Sequence, residues 1–188
     1  MEKRPYRMKA RAERQAETRR RIVEAAVDLH TGLGPARTTV SAIAERAGVQ
    51  RHTVYAHFPD DETLLAACSS HWEERHPFPD PEDWLSIDDP RRRLRRALRA
   101  IYDWYGTVED DLTVLRRDAE VYPVHWAARD EELAVIAASL AEPFGRRKRV
   151  AAAVGHALEF ETWRSLTRRQ GLSNPEAVDA MVALAGAL

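Results

Sequence analysis

Residues Thr38–Phe58 run "TTVSAIAERAGVQRHTVYAHF". Val40, Ile43, Ala44 and Ala47 step by three and four, which is one face of a helix. Gly48 breaks that series, and a second one starts at Val49 and continues through Val54 and Phe58. Two short amphipathic helices joined at a glycine are the sequence form of a helix-turn-helix. Thr39 stands where an N-cap is needed, its hydroxyl able to accept a bond from a free backbone N–H. Ala42 occupies the place where a capping box would put Glu. The second segment is loaded with Gln50, Arg51, His52, Thr53, Tyr55 and His57, a set whose polar ends suit recognition better than packing.

The surroundings fit a polyanion partner. The 188-residue chain has 44% hydrophobic residues, enough for a proper core, and a net charge of only -1. That balance hides an asymmetry: residues 1–57 hold twelve Lys or Arg against six acids, a net of +6, leaving -7 for the remainder. A basic first part on an acidic body suggests a polyanion partner for the first part alone. The start, "MEKRPYRMKARAERQAETRRR", carries charges where a signal peptide needs an apolar core, and no apolar run is long enough to span a bilayer. A cytoplasmic protein without membrane contact is expected. The single Cys68 excludes an internal disulfide framework and reads as a small apolar packing residue.

Helical periodicity continues through the chain. Residues 1–11 lack it and read as a flexible basic arm, followed by a helix from about Ala12 to His30 that Gly32, Gly34 and Pro35 terminate. Together with the motif at 39–58 this makes a three-helix domain over 12–58, and residues 59–188 form a second, helical domain. After Phe58 a helix opens on Pro59 and acids and carries Leu64, Leu65 and Cys68. Pro77, Pro79, Pro81 and Pro90 mark a linker. A helix capped by Asp89 follows, with Leu94, Leu98, Ile101 and Tyr105 on its stripe. Further helices are predicted over Val108–Ala119, Ala127–Ala141, Arg147–Arg169 and Pro175–Leu188. No segment alternates with period two, so the fold is all-α with about nine helices.

In a helix-turn-helix the second helix enters the major groove and its first residues meet base edges. Gln50 can pair with adenine, Arg51 with guanine, and the Thr53 methyl can touch that of thymine. Tyr55 and His57, further along, suit phosphates, which position a protein without reading sequence.

The run "RRRIVEAAVDLHTGLGPARTTVSAIAERAGVQRHTVYAHFPDDETLL" resembles the N-terminal domain of the TetR family of transcriptional regulators over roughly residues 18–65. The order and spacing "TTV…IAE.AGV….TVY.HF….LL" carry the likeness, and "GLSNPEAVDAMVALAGAL" is similar to the last helix of that family. The resemblance implies a homodimeric regulator with an operator-binding domain of three helices and an all-helical body. It also implies a small effector that releases the protein from double-stranded DNA. By the same resemblance Thr39 is a phosphate-contacting cap, Gln50, Arg51, His52 and Thr53 face bases, and Tyr55 and His57 face the backbone. Two positions depart from the family pattern: His52 stands where glycine is usual, and Asp61 where a phosphate-contacting lysine is usual.

The second half is rich in aromatics. Trp84, Trp104, Tyr105, Tyr122, Trp126, Phe160 and Trp163 suit either a core or an effector with apolar or aromatic surface. Candidate effector contacts are Trp104, Tyr105, Arg116, Glu120, Tyr122, Trp126, Phe160 and Trp163, with His125 and Glu161 as further polar candidates. Small residues in "VAAAVGHAL" permit close helix approach, so the two C-terminal helices either close an intramolecular bundle or pair with a second copy. The need for two half-sites favours the homodimer. Catalysis is not expected: "EERH" offers Glu73 and His76 at half of a di-iron spacing without the second half. There is no HExxH, phosphate loop or nucleophile elbow, and neither a metal nor a cofactor is expected. An activator of the same fold, or a helical small-molecule-binding or interaction module without regulatory DNA binding, are the alternatives.

Overall fold

The described residues are predominantly helical and contain no strand. The computed structural model describes residues 3–121, 123–145 and 147–187, and the side chains of all of these except 3–7, 121, 124 and 125. The α-helices are α1 (Lys3–Gly32), α2 (Val40–Ala47), α3 (Arg51–His57), α4 (Asp61–Arg75), α5 (Glu82–Leu85), α6 (Pro90–Arg117), α7 (Pro123–Ala141), α8 (Lys148–Leu158), α9 (Phe160–Arg164) and α10 (Asn174–Ala187). They divide into two units, residues 1–77 with 110–121 and residues 78–109 with 122–188.

The first unit is built on α1. The basic arm expected over residues 1–11 is helical from Lys3 onward. Pro5 falls in the first turn, where a missing N–H costs nothing. The rest is held by good helix formers and by local bonds, such as Arg14 Nε donating to the Ala10 carbonyl at 3.1 Å. Further along, α1 buries Ile22, Val23, Ala25, Ala26 and Val27 against Ile43, Ala44 and Ala47 of α2 and Val54 of α3. Phe58, Leu64 and Cys68 complete that core. A fully buried aliphatic or Phe side chain contributes roughly 1.5–3 kcal/mol. Leu64 and Cys68 of α4 thus pack in this core beyond the boundary expected after Phe58. Burial pushes the Cys68 thiol up to about 12, leaving it an inert packing group.

The last turn of α6 also belongs to this unit. Asp118 accepts a bond from the Ala36 N–H at 3.1 Å, and Arg117 donates to the Leu33 carbonyl at 2.7 Å. The two side chains bind each other at 2.7 Å. The Arg117 guanidinium holds the Asp118 carboxyl below its ordinary range, helped by the Ala36 N–H. Gly34, with φ +99°, lies beneath this clamp, and a Cβ there would collide with both side chains.

In the second unit α6 is one helix where two were expected. Its stripe of Leu94, Leu98, Ile101, Tyr102, Tyr105 and Val108 is buried without interruption, and that outweighs the roughly 1 kcal/mol cost of Gly106. Asp89 caps it as expected, accepting from the Arg92 N–H at 2.7 Å. Within the Pro-rich segment, α5 buries Trp84 completely.

The helix expected over Arg147–Arg169 is broken. Glu159 is extended (φ -68°, ψ 135°), α9 follows, and residues Ser165–Arg169 form a π turn. The break frees the carbonyls of Ala157 and Leu158. The buried hydroxyls of Tyr102 and Tyr105 donate to them at 2.8 and 2.6 Å. Burial raises the Tyr102 phenol above its ordinary range, so it stays protonated as a donor.

Candidate nucleic-acid interface

The geometry of the second helix of the motif depends on how α2 ends. Thr39 caps α2 by accepting from the Ala42 N–H at 3.2 Å. At the other end Gly48 adopts φ 64°, ψ 39°, and the Val49 N–H reaches back to the Ala44 carbonyl at 2.9 Å. This left-handed glycine closure is the low-cost way to stop a helix and turn the chain. The guanidinium of Arg21, on α1, donates to the carbonyls of both Ala47 and Gly48, satisfying acceptors the helix leaves open. A Cβ on Gly48 would lie 2.8 Å from the mobile end of Arg21, so the turn requires glycine for its φ, and any other residue there would also displace this guanidinium. Arg46 pairs with Asp28 at 2.7 Å and ties α2 to α1 a second time.

α3 then presents its faces in order. Val54 and the following Phe58 point into the core. Gln50, Arg51, His52 and Tyr55 are exposed, while Thr53 and His57 are half-buried at the edges. Gln50 is the N-cap residue but makes no capping bond with its side chain, leaving the amide available. Arg51 Nη2 donates to the Tyr55 hydroxyl at 3.0 Å, and its guanidinium carbon lies 5.5 Å from the Tyr55 ring centroid. The two residues are one turn apart on one face, so they form a coupled pair rather than independent contacts. Beneath this face Arg19 stacks over the Phe58 ring at 4.8 Å.

Of the residues that sequence reading singled out, Thr39 caps α2, Gln50 precedes α3, and Arg51, His52, Thr53, Tyr55 and His57 lie on α3. Sequence reading missed Arg21, whose partners lie 26 and 27 residues away and leave no periodic trace. Asp61 is exposed in the first turn of α4, and Asp60 caps that helix through the Thr63 N–H at 2.7 Å. No lysine takes the place of Asp61 there.

The candidate effector residues divide between the units. Arg116 and Glu120 lie in the first, and Trp104, Tyr105, Trp126, Phe160 and Trp163 in the second. Tyr122 lies outside the described residues, and nothing is described of the His125 side chain. Tyr105, Phe160 and Trp163 are buried in one aromatic cluster with centroids 5.3–5.7 Å apart. Trp104 continues it at 5.5 Å from Tyr105 and is half-buried, as is Trp126. Trp163 donates its indole N–H to Asn174 at 2.9 Å, and Arg168 covers its ring while binding Glu109 at 2.6 Å.

Residues 22–68 match the model of the bacterial regulatory proteins of the tetR family. Over 91 residues the chain is 42% identical to the HTH-type transcriptional regulator TtgR and 36% identical to the "Probable HTH-type transcriptional regulator ArpR", both of Pseudomonas putida. Each match covers 46% of this chain and 42% of the relative, so the chain spans under half the length of these relatives. A TetR-like transcriptional regulator from Rhodococcus sp. RHA1 has a similar fold, with a TM-score of 0.61 at 24% identity. That likeness covers 89% of this chain and 93% of the other.

Proposed function

We propose that the chain is a TetR-family, dimeric, DNA-binding transcriptional regulator, a repressor released from its operator by a small molecule; the match of residues 22–68 to the tetR-family model and the likeness to TtgR and ArpR support this. The observation that carries this reading is the exposed Gln50–Arg51–His52–Tyr55 face on a helix locked by Gly48 and Arg21. Two such helices in successive major grooves, about 34–36 Å apart, read a near-palindromic site. Phosphate contacts set the register, and Gln50, Arg51, His52 and Thr53 supply base readout.

A second copy supplies the second half-site contact. α8 and α10 pack together within the second unit and expose the small residues Ala151, Ala152, Ala180 and Ala183 and the apolar Leu184, the last 43% exposed. Such residues let two helix pairs approach closely as a four-helix bundle with two-fold symmetry. The effector binds by the aromatic residues of the second unit. α6 contributes residues to both units, and its end holds the loop before α2 through Arg117 and Asp118. A displacement of α6 by effector alters that loop and the presentation of α2 and α3. Coupling of this kind is typically about 1–3 kcal/mol, a 5- to 150-fold change in affinity.

The test is selection of duplexes from a random-sequence pool by the purified chain, followed by affinity against salt for the retained site. An enriched two-fold symmetric site whose log K falls with log salt at about −0.9 per phosphate contact supports the reading. A folded protein that enriches no sequence overturns it.

A further inference from the structure

The aromatic cluster of the second unit ends in a cation. Beyond Trp104, the ring of Phe78 packs edge-on at 5.1 Å. The Arg129 guanidinium lies 5.1 Å from the Phe78 centroid and 5.8 Å from that of Trp104. Two aromatic rings flank the guanidinium and replace part of its hydration. The side chain is only 20% exposed.

Such a charge needs hydrogen-bond acceptors, and the protein supplies few. An arginine carries five N–H donors in a planar fork. Arg129 uses one nitrogen, Nη1, at 3.3 Å from Glu132, a carboxylate 67% exposed and therefore well hydrated. No acceptor is found for Nε or Nη2 among the described residues. This edge of the fork, Nε–H with Nη2–H, is the geometry that binds a carboxylate through two parallel bonds. The contrast with Arg168 is informative: it also stacks on a tryptophan, Trp163, but its Nε and Nη2 are both taken by Glu109 at 2.6–2.9 Å. Arg168 is the completed form of the arrangement that Arg129 leaves open.

We propose that Arg129, held over Phe78 and Trp104, is the anion-recognising residue of the effector site, and that the effector is a small carboxylate with an apolar or aromatic body. The carboxylate fills the Nε–Nη2 edge, and the body lies against Trp104. The assignment rests on the effector reading above and adds the charge and chemical class of the ligand.

The experiment is titration calorimetry of the intact chain, without DNA, with 2-naphthoate, indole-3-acetate and 4-phenylbutyrate, each compared with its uncharged amide. At least one acid is expected to bind about tenfold or more tightly than its amide, equivalent to about 1.4 kcal/mol. Arg129→Gln removes that preference, and Arg129→Lys, which keeps the charge but loses the fork, retains part of it. Should Arg129→Gln fail to give a folded protein, the Lys variant alone decides, with a reduced acid-to-amide ratio as the supporting result. Equal affinity for acid and amide, a preference unchanged in the variants, or no binding of any of the three acids overturns the proposal. Because no DNA is present, failure of duplex selection leaves this result standing, and the converse also holds.

Discussion

Arg51 and Tyr55 stand four residues apart on α3, and their hydrogen bond changes what each substitution means. Sequence alone assigns Arg51 to a base and Tyr55 to a phosphate, as separable contacts. In the structure the Tyr55 hydroxyl holds the Arg51 fork, so Tyr55→Phe removes a positioning contact as well as a phosphate donor. A double-mutant cycle on operator binding is expected to show Arg51→Ala and Tyr55→Phe coupled by about 0.5 kcal/mol or more. Strict additivity would place the two side chains apart in the complex. His30 gives a second prediction at this scale. It is buried in α1 with Nδ1 unpartnered, and burial lowers its pKa, a shift only partly opposed by Asp61. The unfolded chain takes up a proton near the ordinary value of 6.5, and the folded one only at lower pH. Between the two the unfolded state holds more protons, so stability falls as pH drops below about 6.5. Urea midpoints at pH 7.5 and 5.5 are expected to differ more for the native chain than for His30→Phe.

Among the elements, the broken helix between α8 and α9 is the most informative. Tyr105→Phe leaves the Leu158 carbonyl buried without a partner, which costs about 1–3 kcal/mol. The expected fall in melting temperature is about 2–10 °C by calorimetry. An unchanged melting temperature would mean that water or a rearranged turn satisfies that carbonyl. Nothing in "VAAAVGHALEFETWRSL" announces this break, since there is no Pro and the apolar stripe runs on through it. The acceptors are capped from residues 53 and 55 positions away, which no local pattern encodes. The same holds for the continuity of α6 across Gly106, decided by the buried stripe on either side. By contrast α2, α3 and the N-terminal half of α4 were legible because caps, glycine and apolar spacing all act within a few residues.

On the scale of the whole molecule, the proposed reading of a two-fold site depends on pairing two copies. Ala183→Glu puts a charge on the small-residue face of α10 while leaving the buried Val182 and Ala185 untouched. Sedimentation is expected to show a monomer at concentrations where the native chain is a dimer, with specific duplex binding lost in parallel. A variant that stays dimeric would move the interface off α10. The helix content of the variant should not change, because the substituted side chain is exposed.

The sequence by itself determined the all-α class, the helix-turn-helix and the residues on its exposed face. Those properties follow from interactions between neighbours in the chain: a threonine cap, a left-handed glycine, and apolar residues recurring every three or four positions. Tertiary structure decided what distant residues do to one another. Arg21 locks the turn, Asp118 grips the loop before α2, two tyrosines cap a broken helix, and Phe78 with Trp104 flanks Arg129. The physical reason is that hydrogen bonds and ring contacts are short-ranged in space, and only folding brings groups this far apart in sequence within reach.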